Sequence, residues 1–169
     1  MSKLKRVQFS TTIAAPVSTV YRVMIDPDTY RDWTSAFAEG SRYEGSWDKG
    51  QRICFLANAE GGMVSEIAEN RKNDFISIKH LGYIVNGKED TESDAIRAWA
   101  PAYENYTFQA VPDGTRLLID QDVTAEFESY VVEAWPKALE RLKTLCEAQA
   151  RNKTSDSSRP QEGMGWGWD

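Results

Sequence analysis

A chain of 169 residues with 41% hydrophobic and 27% charged residues has the size and composition of one globular domain. Its net charge of −6 argues against binding a phosphate backbone, which needs clustered Lys and Arg, and against the anionic inner leaflet of a membrane. No stretch approaches the roughly 20 apolar residues that span a bilayer, and Met1 to Ser10 has no apolar core behind its basic residues, so no secretory signal is expected. These features predict a cytoplasmic protein with no nucleic-acid partner and no membrane insertion.

From Lys5 to Ala14 the residues alternate, with Val7, Phe9, Thr11 and Ile13 on one face: a strand. Pro16 opens a short helix carrying Val17, Val20, Tyr21 and Met24 at helical spacing. Asp26-Pro27-Asp28 breaks it, and Asp28 is placed to cap a second helix bearing Tyr30, Trp33 and Phe37. A meander of short strands follows. Arg42 to Trp47 turns at Asp48-Lys49-Gly50 into Gln51 to Ala57, and Glu60-Gly61-Gly62 turns the chain again. Met63 to Asn70 and Phe75 to Leu81 form the next pair.

The rhythm breaks between Tyr83 and Pro101, where an acidic run from Glu89 to Asp94 precedes a short helix capped by Ser93 or Asp94. Insertions of this length inside a compact domain tend to be functional or mobile. Tyr103 to Val111 and Thr115 to Thr124 then form a hairpin across Pro112-Asp113-Gly114. From Glu126 to about Ala150 the period becomes helical, with a wide apolar stripe from Phe127 through Val131, Ala134, Ala138 and Leu142. Pro136 lies inside this stripe and should bend the helix or split it near Trp135. The expected domain is residues 1–150. Residues 151–169 are expected to be a flexible tail, although Trp166 and Trp168 would suit docking into a groove.

Runs of strands ending in a helix indicate an α+β domain, a curved seven-stranded antiparallel sheet around a long C-terminal helix with two short helices at one end. The segments Ile13-Ala14-Ala15-Pro16-Val17-Ser18-Thr19-Val20-Tyr21, Asp32-Trp33, Gly45-Ser46-Trp47-Asp48-Lys49-Gly50, Gly114-Thr115-Arg116-Leu117 and Trp135-Pro136-Lys137-Ala138-Leu139 carry a resemblance. The chain resembles the START-like (SRPBCC) superfamily and, within it, the bacterial heat-shock-protein-90 ATPase activator homologues, over roughly Val7 to Ala148. The resemblance implies a helix-grip (START-like, Bet v 1-like) fold with a cavity between sheet and long helix. That superfamily includes lipid carriers, receptors, cyclases and chaperone cofactors, so fold does not name function.

Nineteen aromatics, six Trp, seven Tyr and six Phe, exceed what a small core needs. The candidate cavity residues are Trp33, Phe37, Phe55, His80, Tyr106, Phe108, Tyr130 and Trp135, with a lid from Tyr83 to Trp99. His80 shares parity with Ile76 and Ile78. If that face is the cavity, it could donate to a ligand, act as a base, or serve as a wall group with no catalytic role. Glu104 shares parity with Tyr106 and Phe108, which aims it inward toward a partner such as Arg97 or Tyr83, whereas a bulge near Pro101 would turn it outward. Glu66 raises the same question. The distant Cys54 and Cys146 read as buried small hydrophobes, and with one histidine and no CxxC pair neither a metal site nor any cofactor is implied.

The sequence therefore points to binding of a small, largely apolar molecule. The alternatives are a cyclase- or hydratase-like enzyme using His80 and Glu104, or a chaperone-associated interaction domain. The chaperone activators work with a separate N-terminal domain, whereas this chain starts at the first strand. A protein partner stays open, and oligomeric state is not given by the sequence.

Overall fold

The structure is a computed structural model that describes residues 4–57 and 61–157. Glu60 of the expected turn, and Trp166 and Trp168, lie outside the described residues. Strands β1 (Lys5–Ile13), β2 (Arg42–Gly45), β3 (Arg52–Ala57), β4 (Gly61–Arg71), β5 (Phe75–Val85), β6 (Lys88–Asp90), β7 (Ala102–Val111) and β8 (Gly114–Val123) form one antiparallel sheet. Seven of them run in the order β1-β8-β7-β5-β4-β3-β2, and the short β6 pairs with β5. Helices α1 (Val17–Ile25) and α2 (Pro27–Trp33), with a 3-10 turn over Thr34–Ala36, close one end. Helix α3 (Asp94–Arg97) belongs to the insertion, and α4 (Ala125–Ser157) lies across the sheet's concave face. This is the helix-grip α+β architecture.

Alternation in the strands is what curves the sheet around α4. Val7 and Ile13 of β1, Tyr106 and Phe108 of β7, and Leu117, Ile119 and Val123 of β8 are all buried on the inner face. They meet Val131, Ala134, Trp135, Ala138, Leu139, Leu142 and Cys146 of α4, which recur every three or four residues. Helix α4 continues through Pro136 without splitting, and it runs on to Ser157, so residues 151–157 extend the helix rather than begin a tail.

Local chemistry differs from the sequence reading at two joints. Asp26, not Asp28, caps α2: its Oδ1 accepts the amide protons of Asp28 (2.9 Å) and Thr29 (3.4 Å), and Pro27 takes the first helical position. Gly61 and Gly62 are the first residues of β4 rather than a turn.

The insertion expected as a lid is a folded hairpin and short helix. Strand β5 extends to Val85, turns at Asn86-Gly87, and pairs Tyr83 with Asp90. Ser93 caps α3 by accepting the Ile96 amide proton. Ile96, Trp99 and Ala102 form a second small core against Met63 and Tyr83. An Arg52–Glu89 ion pair ties the hairpin to β3. Gly82 allows the close approach, because a Cβ there would sit 2.1 Å from the Asp90 carbonyl oxygen.

Both cysteines are free thiols. Cys146 is fully buried as expected, and burial pushes its thiol up to about 12. Cys54 is only half-buried, because it alternates with the inward Ile53 and Phe55 and so lies on the sheet's outer face. A chromogenic disulfide reagent at pH 8 should therefore read one reactive thiol in the folded protein and a second only in denaturant. Two thiols reacting at equal rates in native buffer would contradict this packing.

Candidate functional site

Between the inner face and the first half of α4 lies a cleft of about 450 Å³. Of the eleven residues expected to contact a ligand, ten line it: Trp33 and Phe37 from the short-helix end, Phe55 from β3, and His80 and Tyr83 from β5. Trp99 comes from the lid, Glu104 and Tyr106 from β7, and Tyr130 and Trp135 from α4. Phe108 does not reach the cleft. It lies farther along β7 and is buried against Tyr21 of α1, with ring centroids 5.6 Å apart. At the mouth, Phe127 and Tyr130 on the first turns of α4 are 48% and 47% exposed, because α4 overhangs the opening there.

The register explains how the polar groups meet. On the inner face Ile67, Ile78, Glu104 and Gln121 form one cross-strand row, and Ser65, His80 and Ala102 form the adjacent row. His80 and Glu104 are thus diagonal neighbours on one face, within reach of each other. His80 Nε2 lies 2.9 Å from Glu104 Oε1, and His80 Nδ1 lies 2.7 Å from Ser65 Oγ. The Tyr106 hydroxyl donates to Glu104 Oε2. With a neutral imidazole these partners assign the tautomer: Nε2–H donates to the carboxylate and Nδ1 accepts the Ser65 hydroxyl proton.

The expected outward turn of Glu104 does not occur, and its expected partners are elsewhere. Arg97 is exposed on α3, and Tyr83 packs on Trp99 at 4.9 Å. Glu66 lies on the outer face, paired with Arg52 and Lys79. A β-bulge also shapes the site. Val64 pairs with Gly82 and Ser65 with His80, leaving Leu81 as an extra residue on β5. That extra residue reverses parity, so His80 and Tyr83 face the same cleft although their positions differ by an odd number.

Three residues that pattern reading missed complete the wall. Tyr30 of α2 lines the cleft, and burial followed by the nearby Glu104 charge holds its phenol well above the ordinary value. Burial and Glu104 do the same to Tyr106, so both hydroxyls stay protonated and neutral. Gln121 Oε1 accepts the Trp135 indole N–H at 2.7 Å. Parity with Ile119 and Val123 placed Gln121 inward and was the signal available for it. Thr124, at the start of α4, lines the mouth with a buried hydroxyl that has no hydrogen-bond partner among the described residues.

Ser65, His80 and Glu104 have the connectivity of a hydrolytic triad in reverse. Ser65 is fully buried behind the imidazole and does not line the cleft, while the carboxylate does. The serine therefore anchors the histidine and cannot attack anything in the cleft. The group presented to the cleft is a carboxylate held in place by an imidazole and a phenol.

The sequence model of the family described as activator of Hsp90 ATPase homolog 1-like protein matches residues 14–147. The chain belongs to this family. Comparison with curated proteins finds no match. Solved structures share the fold of this activator-homologue domain at low identity. Protein MLL2253 from Mesorhizobium loti is 17% identical with a TM-score of 0.67, over 85% of this chain and 98% of that one. The Aha1 protein from Colwellia psychrerythraea, solved as a dimer, is 16% identical at a TM-score of 0.64, over 85% and 96%. CalU16 from Micromonospora echinospora is 15% identical at 0.57, over 90% and 83%. Among the described residues no helix is long and apolar enough to cross a membrane.

Proposed function

We propose that this domain binds a small, largely apolar molecule in the cleft between sheet and α4. The observation that carries the reading is the cleft's make-up: about 450 Å³ walled mainly by apolar side chains, ten of them Phe, Tyr or Trp, with one fixed polar cluster on its inner wall. Ligand sites commonly have this size and this ratio of apolar wall to converging polar groups. The lid over the opening suits retention of a bound molecule. Native mass spectrometry of freshly purified protein, followed by extraction, tests the reading. A neutral naphthylamine fluorophore gives a second readout. The wild-type chain should carry an adduct or take up the fluorophore. Ala38→Trp, which puts an indole into the cleft from a half-buried loop position, should lose both while unfolding at a similar temperature. An apo mass together with no fluorophore uptake would sink the reading.

A second reading, general acid–base chemistry of the cyclase or hydratase kind, rests on the His80–Glu104 contact at the cleft wall. It requires turnover of a bound molecule that stops in His80→Gln. The family's description as chaperone-ATPase activators supports a third, association with a chaperone, which a pull-down with a chaperone bait tests.

A further inference from the structure

We infer that the cleft selects an organic cation, an apolar body ending in a protonated or quaternary amine; this rests on the ligand-binding reading above. A belt of rings runs around the cleft. Tyr106 contacts Trp135 at 6.1 Å, Trp135 stacks on Trp33 at 5.9 Å, and Trp33 meets Tyr30 at 5.5 Å. Tyr30 meets Phe55 at 6.1 Å, and Phe55 meets His80 at 5.9 Å. Glu104 closes the circuit, hydrogen-bonded at one end to His80 and at the other to Tyr106. The belt is thus five aromatic side chains, an imidazole and one carboxylate around a single space.

Ring faces are the negative part of the aromatic quadrupole and attract a cation within about 6 Å, most strongly where water is excluded. The carboxylate adds a full charge of the same preference. Its two donors, a phenol and an imidazole N–H, leave further lone pairs on both oxygens. The phenols of Tyr30 and Tyr106 stay protonated, so they supply ring faces and add no second anion. An anionic ligand would meet the opposite field.

Charge on the rest of the wall agrees. Among the described residues lining the cleft there is no Lys or Arg. Its other acid, Asp122, is engaged: Arg6 Nε donates to Oδ1 at 3.0 Å and the Tyr103 amide donates to Oδ2 at 2.9 Å. Glu104 is left as the acid without a cationic partner of fixed charge. The N-terminus of α4 at the mouth would favour an anion, but Glu126 and Glu128 in its first turn already complement that dipole.

The test uses three probes with one phenylbutyl body and different heads: an ammonium, a neutral alcohol and a carboxylate. Binding is read at neutral pH by calorimetry and by tryptophan fluorescence on the full chain. The ammonium should bind roughly tenfold or more tighter than the alcohol, with the carboxylate weakest. Glu104→Gln, nearly isosteric, should remove most of the ammonium's advantage over the alcohol, leaving only what the rings supply, with alcohol binding intact. Equal affinity for all three heads, or preference for the carboxylate, overturns the cation assignment and leaves the cleft a ligand site. Binding of none of the probes overturns both. The comparison of heads on wild-type protein stands even if Glu104→Gln folds poorly.

Discussion

Trp135→Ala should lower folding stability by about 3–5 kcal/mol, the range for deleting a fully buried indole. Trp135 is 1% exposed and sits where four other rings converge, those of Phe9, Trp33, Phe37 and Tyr106. Its indole N–H also satisfies Gln121. The ring is the contact point of α4 with the short-helix end and the sheet together, so nothing nearby can collapse into the space without pulling α4 inward. A loss of this size is a large share of the roughly 5–15 kcal/mol that holds a domain folded. Urea unfolding followed by far-ultraviolet circular dichroism measures it. Trp135→Phe keeps most of the packing and leaves Gln121 unpaired, and should cost about 1–2 kcal/mol. If both variants lost the same amount, the hydrogen bond rather than the packing would be the dominant contribution.

Gly114→Ala should cost about 3 kcal/mol or more, although it adds a single methyl group. Gly114 has φ of +143°, and a Cβ there would lie 2.1 Å from the Ile13 carbonyl oxygen and 2.9 Å from the Ala15 amide. Those atoms belong to the end of β1, where Ile13 pairs with Thr115 and the Thr115 hydroxyl donates to the Ala15 carbonyl at 2.7 Å. Relief would require separating β1 from β8. Gly50→Ala is the matched control, with φ of +83° and nothing within 4 Å of the added atom. It should cost only the backbone strain, about 1–2 kcal/mol. Equal shifts in the urea midpoint for the two variants would assign the whole effect to φ and none to the contact.

Much of this site was legible because a strand's period is 2. Parity alone put Glu104, Tyr106 and Phe108 on one face of β7, and the structure keeps them there. Parity cannot say how far along the strand the cleft extends, so Phe108 was grouped with it although Tyr21 has filled that end. Nor can it pair strands. The meeting of His80 with Glu104 depends on β5 lying beside β7, two strands separated in sequence by the lid. Tyr30 was legible as part of α2, but its approach to the Glu104 carboxylate depends on where the short helices close the sheet. The fold was read more fully than the site because its signals, alternation, turns and one helical stripe, are local and repeated many times. The cap of α2 shows the limit: Asp26 and Asp28 are equally good cap residues, and only the chain's path after Pro27 decides between them.

The bulge at Leu81 works on the sheet as a reading frame works on a message. Up to His80 the even positions of β5 face the cleft; beyond it the odd ones do. Were β5 to run through Leu81 as a regular strand, with every residue kept and no bulge, everything downstream would be read on the wrong side. Tyr83 would leave the cleft for the outer surface, and the contact with Trp99 that seats the lid would go with it. An extra residue placed between Gly82 and Tyr83 would do the same. Chains that keep His80 and lose this offset can retain the polar cluster, but they must build their covering from some other part of the fold.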